Sequence, residues 1–301
     1  MDKDLTYIVS GGRTGTKYFG EMLCDFIPEA YSVHEPDVVS LDDLQLLRQR
    51  VKTFGLWHMV VGRLLGKTGI RTLSTRRLSG NIGDDRHFLE TVRRHRESYY
   101  EGLNTPLIIE SHGEWYGLLH DIRRLYPAAR VVGIIRDPRD WVTSFLNHGG
   151  RRGHKDRATQ FGQKRLSPAM VGEADLVPDW EALTPFEKLC WDWRVINTTI
   201  VDFCDQDEAS RVYRFEDLFL GEDDTAMRDL INFVAQHPSR TYEHTYDAEL
   251  RRQKVNTRAS RAERWPQWTP EQVHHLEKMC QPLMSRFGYG EEDRWQDKLA
   301  A

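Results

Sequence analysis

Two short stretches concentrate the residue types that hold phosphate. The first, Ser10-Gly11-Gly12-Arg13-Thr14-Gly15-Thr16-Lys17, follows the apolar run Leu5-Thr6-Tyr7-Ile8-Val9. It precedes Tyr18, Phe19, Met22, Leu23, Phe26 and Ile27, which recur at helical spacing until Pro28. Small residues at a strand-to-helix turn let the backbone close on an anion, and the free amides of the helix start point at it. Arg13 and Lys17 would add positive charge, and Thr14 and Thr16 hydroxyl donors, so Gly12 through Lys17 form a candidate anion cradle. The second stretch runs from Val131 through Arg136-Asp137-Pro138 to Ser144. An apolar strand ends in Arg136, Asp137 can cap the following helix, and Pro138 fits its first position. Ser144 lies two turns along on the face of Asp137, so Arg136 and Ser144 can converge on a second anion. A pairing of Arg136 with Asp140 is the plainer alternative.

The identity of the anion is constrained by what is missing. A nucleoside triphosphate loop places Lys directly after its last Gly and Ser or Thr after that for magnesium. Here Thr16 occupies the Lys position and Lys17 is followed by Tyr18. The second strand ends in Arg136 rather than in an acidic metal partner. These departures count against a kinase of small molecules, which remains the rival enzyme class, and no metal is expected. A non-catalytic nucleotide-binding protein is the rival outside enzymes.

With both motifs in hand, the chain resembles the sulfotransferase family. Arg13-Thr14-Gly15-Thr16-Lys17 is similar to that family's loop for the 5′-phosphosulfate of 3′-phosphoadenosine 5′-phosphosulfate (PAPS). Arg136 and Ser144, eight residues apart, resemble its 3′-phosphate motif, and Arg214-Phe215-Glu216-Asp217-Leu218 resembles a structural Arg-Tyr-Glu-Asp-Leu segment. The resemblance implies a P-loop-NTPase-like α/β fold, a parallel sheet flanked by helices. It also implies PAPS as sulfuryl donor and a hydroxyl or amine of a carbohydrate, lipid or small molecule as acceptor. The family's further phosphate-binding Arg before a Trp would be Arg258, seven residues before Trp265, although the full RKGxxG pattern is absent. Arg13 would hold the bridging oxygen and the leaving phosphate. The acceptor must lose a proton, and two segments could supply the base. Ser32-Val33-His34-Glu35-Pro36 resembles the Glu-bearing segment of carbohydrate, tyrosyl-protein and glycolipid sulfotransferases, where that Glu is the base. Glu110-Ser111-His112 resembles the Lys-Thr-His segment of the small-molecule enzymes, where the His is the base. Glu35 is the favoured base, with His112 as helper or substitute and His34 behind both.

Positioning these residues calls for alternating strands and helices. Apolar runs at 5–10, 106–109 and 130–135, each followed by a helical pattern, describe βαβ units and hence a parallel sheet with right-handed crossovers. A long helix over 185–204, a short strand at 211–215, a helix over 225–235 and a Thr269-capped helix complete the pattern. Residues 40–105 and 149–180 interrupt it, and both are expected as insertions in one domain spanning 1–301, lying over the sheet's carboxyl edge. Within the first, Trp57, Val60, Val61, Leu64 and Leu65 form a helical apolar stripe, which core packing ordinarily explains and an acceptor-binding cover explains otherwise.

Composition bounds the rest. The 301 residues are 39% hydrophobic and 29% charged, ordinary for a globular chain with a sizeable core. From Leu41 to Tyr100 there are 12 Lys/Arg against 6 Asp/Glu, a local +6 in a chain of net charge −4 that suits an anionic ligand. The acidic pI of about 6.3 speaks against nucleic acid as a partner. No apolar run reaches membrane-spanning length. Four scattered cysteines and no secretory pattern at the start lead to the expectation of a reduced, cytoplasmic protein. Acceptor identity and oligomeric state are not legible in these motifs.

Overall fold

The structure is a computed structural model, describing residues 2–38, 44–156, 165–252, 262 and 264–300. Its centre is a five-stranded sheet of β1 (Asp4–Ser10), β2 (Ala30–His34), β3 (Leu107–Ser111), β4 (Arg130–Ile135) and β5 (Ser210–Arg214). The spatial order is β2-β3-β1-β4-β5, and every neighbouring pair is parallel. All five carboxyl ends therefore lie on one edge. β1 sits in the middle, with β3 on one side and β4 on the other, where open sheets of this kind hold ligands.

Alternation along the strands sorts the side chains onto two faces. Ile8, Ile109, Val132 and Ile134 pack against helix α1 (Thr16–Phe26) through Phe19, Leu23 and Phe26. Tyr7, Val9, Ile108 and Val131 join the opposite cluster. Because helices cover both faces, the strands read as nearly continuous apolar runs.

The 40–105 segment divides in two. Helix α2 (Leu44–Phe54) contributes no buried residue. By contrast, α3 (Ile70–Leu78) and α4 (Asp85–Arg94) bury Ile70, Leu73, Phe88 and Val92 in the cluster under β1 and β3. The second half of this segment is thus part of the core on one face of the sheet. The helical periodicity of 70–94 was present, but which surface it covers depends on the strands beneath it.

The downstream helices follow their capping residues. Helix α5 (Leu119–Leu125) leads into β4, and α6 (Pro138–His148) starts with the Asp137 carboxylate accepting from the Arg139 amide and Pro138 at the first turn. Helices α7 (Pro185–Asp205) and α9 (Pro270–Arg286) both open with complete capping boxes, Thr184 with Glu187 and Thr269 with Gln272. Between them α8 (Thr225–Ala235) packs Met227, Leu230 and Ile231 beside α1. Strand β2 was not anticipated. Its five residues lack a continuous apolar run, because only Ala30 is fully buried on this edge strand.

Helix α1 crosses β2 at Gly20, where a Cβ would lie 2.4 Å from the His34 amide nitrogen. Gly20→Ala should lower stability by about 1–3 kcal/mol in urea titration, the usual range for overpacking against atoms that cannot yield. The gain of roughly 1 kcal/mol in helix propensity from Gly to Ala would not offset it.

Candidate active site at the carboxyl edge

The β1–α1 turn is shaped by left-handed backbone at Gly12, Arg13 and Gly15, with φ of 78°, 58° and 78°. Arg13 is one of three described non-glycine residues with positive φ, the others being Glu35 at 43° and Arg152 at 59°. Such conformations cost energy and persist where the surroundings over-determine them. The Ser10 hydroxyl accepts from the Gly12 amide at 3.1 Å and from the Thr14 hydroxyl at 2.6 Å, tying the loop to the strand end. At Gly15 a Cβ would come within 2.9 Å of the Phe219 ring, so only glycine fits. Lys17 is exposed and pairs with Glu21 at 3.5 Å. Arg13 is the cation held inside the loop's own framework.

The second motif meets the first at Arg13. Arg13 Nε donates to Ser144 Oγ at 2.9 Å, and Arg136 Nη1 donates to the Arg13 carbonyl at 2.8 Å. Arg136 also lies over the Phe215 ring at 4.5 Å, and its Nε has no hydrogen-bond partner among the described residues. The alternative pairing with Asp140 is loose, at 4.0 Å. Two indoles brace the loops: Trp141 Nε1 donates to the Gly12 carbonyl at 2.9 Å, and Trp193 Nε1 to the Arg136 carbonyl at 2.8 Å. The Arg214–Leu218 segment is structural as expected. Phe215 underlies Arg136, and Glu216 accepts from the Asp137 amide at 3.0 Å and from the Tyr289 hydroxyl at 2.7 Å. Arg258 lies outside the described residues.

On the other side of β1, the ends of β2 and β3 bring the two base candidates together. The Glu35 amide donates to the Ser111 carbonyl at 3.1 Å, and Glu35 Oε1 lies 3.9 Å from His112 Nδ1. His112 is buried and its Nδ1 accepts from the Glu114 amide at 3.0 Å, which places the ring proton of a neutral imidazole on Nε2, 3.9 Å from Asp37 Oδ1. Glu35 is the more open of the two, with 29% of its side chain exposed against 4% for His112. His34 Nδ1 bonds the Ser111 carbonyl at 3.2 Å, and burial lowers its pKa. Gly113, next after His112, packs against the Gly12 amide region, so the base candidates and the anion loop share one crevice.

Several residues at this edge escaped the sequence reading. Asp37 is fully buried and accepts from Arg96 at 3.0 Å, His58 at 2.8 Å and Arg63 at 3.2 Å. Burial alone would raise its pKa, but these partners outweigh it and hold the carboxyl well below its usual range. Arg96 also bonds Glu110, which accepts further from Tyr100 at 2.6 Å and Trp115 at 2.9 Å. Glu114 accepts from Arg71 at 2.9 Å and Arg151 at 3.3 Å, and Arg71 is close enough to Glu35 for their charges to interact. The one available signal was the excess of Arg in the 40–105 segment, which did not say which carboxylates it served.

The first loop follows the central strand β1, and Glu35 and His112 follow β2 and β3 on the same edge of a parallel α/β sheet. The sequence matches the family described as the sulfotransferase domain over residues 3–288, and the chain belongs to that family. A sulfotransferase from Alicyclobacillus acidocaldarius is similar in structure at 14% identity, covering 98% of this chain and 100% of that one with a TM-score of 0.46. A sulfotransferase domain from the curacin biosynthetic pathway is similar at 13% identity, covering 99% and 96% with a TM-score of 0.44. No curated protein matches the sequence.

The ion pairs at Glu114 have a pH signature. Burial would raise this carboxyl, but Arg71 and Arg151 pull it from 4.5 down to about 2. A depressed folded-state pKa contributes stability that is fully present above pH 4.5 and is lost as the pH falls toward 2, on the order of 3 kcal/mol. Glu114→Gln should therefore be less stable at pH 7, and its stability should fall less steeply than that of the wild type between pH 5 and pH 2.5. Denaturant titrations across that range check it.

Proposed function

We propose that this chain transfers a sulfuryl group from PAPS to an acceptor hydroxyl or amine, within one domain that binds both substrates. The observation that carries the reading is the pair of left-handed residues, Arg13 after β1 and Glu35 after β2, on the same edge of the sheet. Strands lie about 4.8 Å apart, so with β3 between them the two turns begin roughly 10 Å apart, room for a transferring group and its acceptor. The residues fit the donor. The Gly12–Gly15 turn offers a cradle without side-chain obstruction at its glycines, and the Arg136 guanidinium retains an unpartnered Nε beside it.

The donor would supply the electrophilic sulfuryl group, with Gly12, Arg13, Thr14, Gly15, Thr16 and Lys17 around its phosphosulfate and Arg136 and Ser144 around its second phosphate. Arg258 is carried as a third contact on resemblance alone. Arg13, braced by Ser144, would stabilise negative charge that grows as the bond to sulfur breaks, an interaction worth most in the transition state. Glu35 would take the acceptor proton on a carboxylate oxygen. Its greater exposure favours it over His112, whose Nδ1 lone pair is already engaged by the Glu114 amide. His112 stands behind Glu35 as the substitute base. A metal ion has no part in this scheme. A carbohydrate, lipid or small molecule is the acceptor class, and a cytoplasmic location accords with the reading.

Calorimetry with 3′-phosphoadenosine 5′-phosphate in EDTA should show binding, and Arg136→Ala should weaken it at least tenfold, about 1.4 kcal/mol. Magnesium-dependent ATP binding without affinity for the 3′-phosphorylated nucleotide would overturn the donor assignment. Glu35→Gln should keep nucleotide affinity and lower turnover by about 10²–10⁴-fold, the range for a lost general base. A Glu35→Gln enzyme of near-normal turnover beside an inactive His112→Ala would transfer the role of base to the imidazole.

A further inference from the structure

The apolar stripe of the first insertion faces outward. The short helical run Trp57–Val61 continues into Gly62–Leu64, and along it His58, Met59 and Gly62 are buried. The polar groups of this run turn inward: His58 and Arg63 both bond Asp37, and Thr68 donates to the His58 carbonyl at 2.9 Å. Leu56, Trp57, Val61, Leu64 and Leu65 are exposed, Leu64 at 79% and Leu56 at 60%. The expectation that core packing explains the stripe is corrected, because the buried demand of Asp37 claims the opposite face. Among the eight large apolar side chains left exposed in the described residues, these five and Leu44 belong to this one segment.

Charge narrows what can cover the ridge. From residue 44 to residue 83 the sequence holds eight Lys or Arg and no Asp or Glu. Five of these cations are engaged with protein oxygens: Arg50, Arg63, Arg71, Arg76 and Arg77. Arg48, Lys52 and Lys67, which flank the ridge in sequence, are exposed and take part in no ion pair among the described residues. A second copy docking face to face would set these cations against their own kind, with no acid in the segment to answer them. A surface that is apolar below and anionic above answers both features, as basic amphipathic segments do at lipid headgroups.

We propose that the ridge at 56–65, with Arg48, Lys52 and Lys67, docks this protein on an anionic lipid bilayer. Tryptophan and leucine enter the boundary between headgroups and acyl chains, and the cations meet the lipid phosphates. Arg63 and His58 fasten the ridge to Asp37, two residues beyond Glu35, so docking brings the acceptor side of the site toward the membrane. The inference stands on exposure and charge, and it holds or fails independently of the donor assignment.

Cosedimentation of the full chain with phosphatidylglycerol–phosphatidylcholine vesicles tests it, pure phosphatidylcholine vesicles serving as the neutral arm. Binding is expected to the anionic vesicles and to weaken at high salt. Leu64→Glu combined with Leu65→Glu is expected to reduce the bound fraction at least tenfold with an unchanged thermal melt. If that variant does not fold, Leu64→Ser at the most exposed position carries the same comparison. Absence of wild-type binding to either vesicle, or equal binding by the ridge variants, would overturn the proposal. So would a dimer in sedimentation velocity that the same substitutions dissolve, with no vesicle binding, because the ridge would then be a self-association face.

Discussion

Arg96 is the charge on which the β2–β3 side of the molecule rests. Its side chain is 1% exposed and sits between two carboxylates that are equally buried, Asp37 beyond β2 and Glu110 in β3. Burial would lower its pKa, but the two anions outweigh that and raise it well above the ordinary value. An ion pair this deep is weak evidence of net stability, since desolvation offsets much of the attraction, yet removing one member leaves a buried charge at about 3–5 kcal/mol. What it supplies is geometry. Three pieces far apart in sequence are held together where the base candidates must stand.

The β1–β4 side is held by different means. Its two loops are fixed through their backbone carbonyls, Gly12 by the Trp141 indole and Arg136 by the Trp193 indole. Each of these tryptophans is buried, so each N–H needs a partner, and a loop carbonyl supplies it. With those carbonyls engaged by buried indoles, the two loops are fixed beside each other at the carboxyl edge. Phe215 and Phe219, from one short helical segment, support the two motifs at once, under Arg136 and against Gly15. The two loops are thus braced mainly by neutral contacts.

The two sides meet at β1 and β3. Neutral packing of Gly113 on the Gly12 region joins them, while the cations of the first insertion serve Asp37, Glu110 and Glu114. Part of the local basic excess is therefore spent inside the protein, while Arg48, Lys52 and Lys67 lie exposed beside the 56–65 ridge. The same sequence feature has two physical destinations, one buried and stoichiometric, one open and available to a partner.

By itself the sequence determined the elements with strong local signals. Strands β1, β3 and β4 were legible as buried apolar runs, α6 and α9 through Asp137 and Thr269 with their prolines, and α7 as a long helical stretch, because capping and periodicity act over a few residues. The two stretches read as candidate phosphate motifs were visible for the same reason, each being a strand end, a turn and a helix start. Only the tertiary structure decided how they combine. Ser144 pairs with Arg13, since the β1–β4 pairing sets α6 beside the first loop. Edge strand β2 was hidden because an edge strand needs little apolar sequence. Asp37 was silent because its partners lie 21, 26 and 59 residues away. The stripe at 57–65 was visible as a pattern, but periodicity names a face and not what it faces. Its direction was set by the buried carboxylate that drew His58 and Arg63 inward and left the leucines outside.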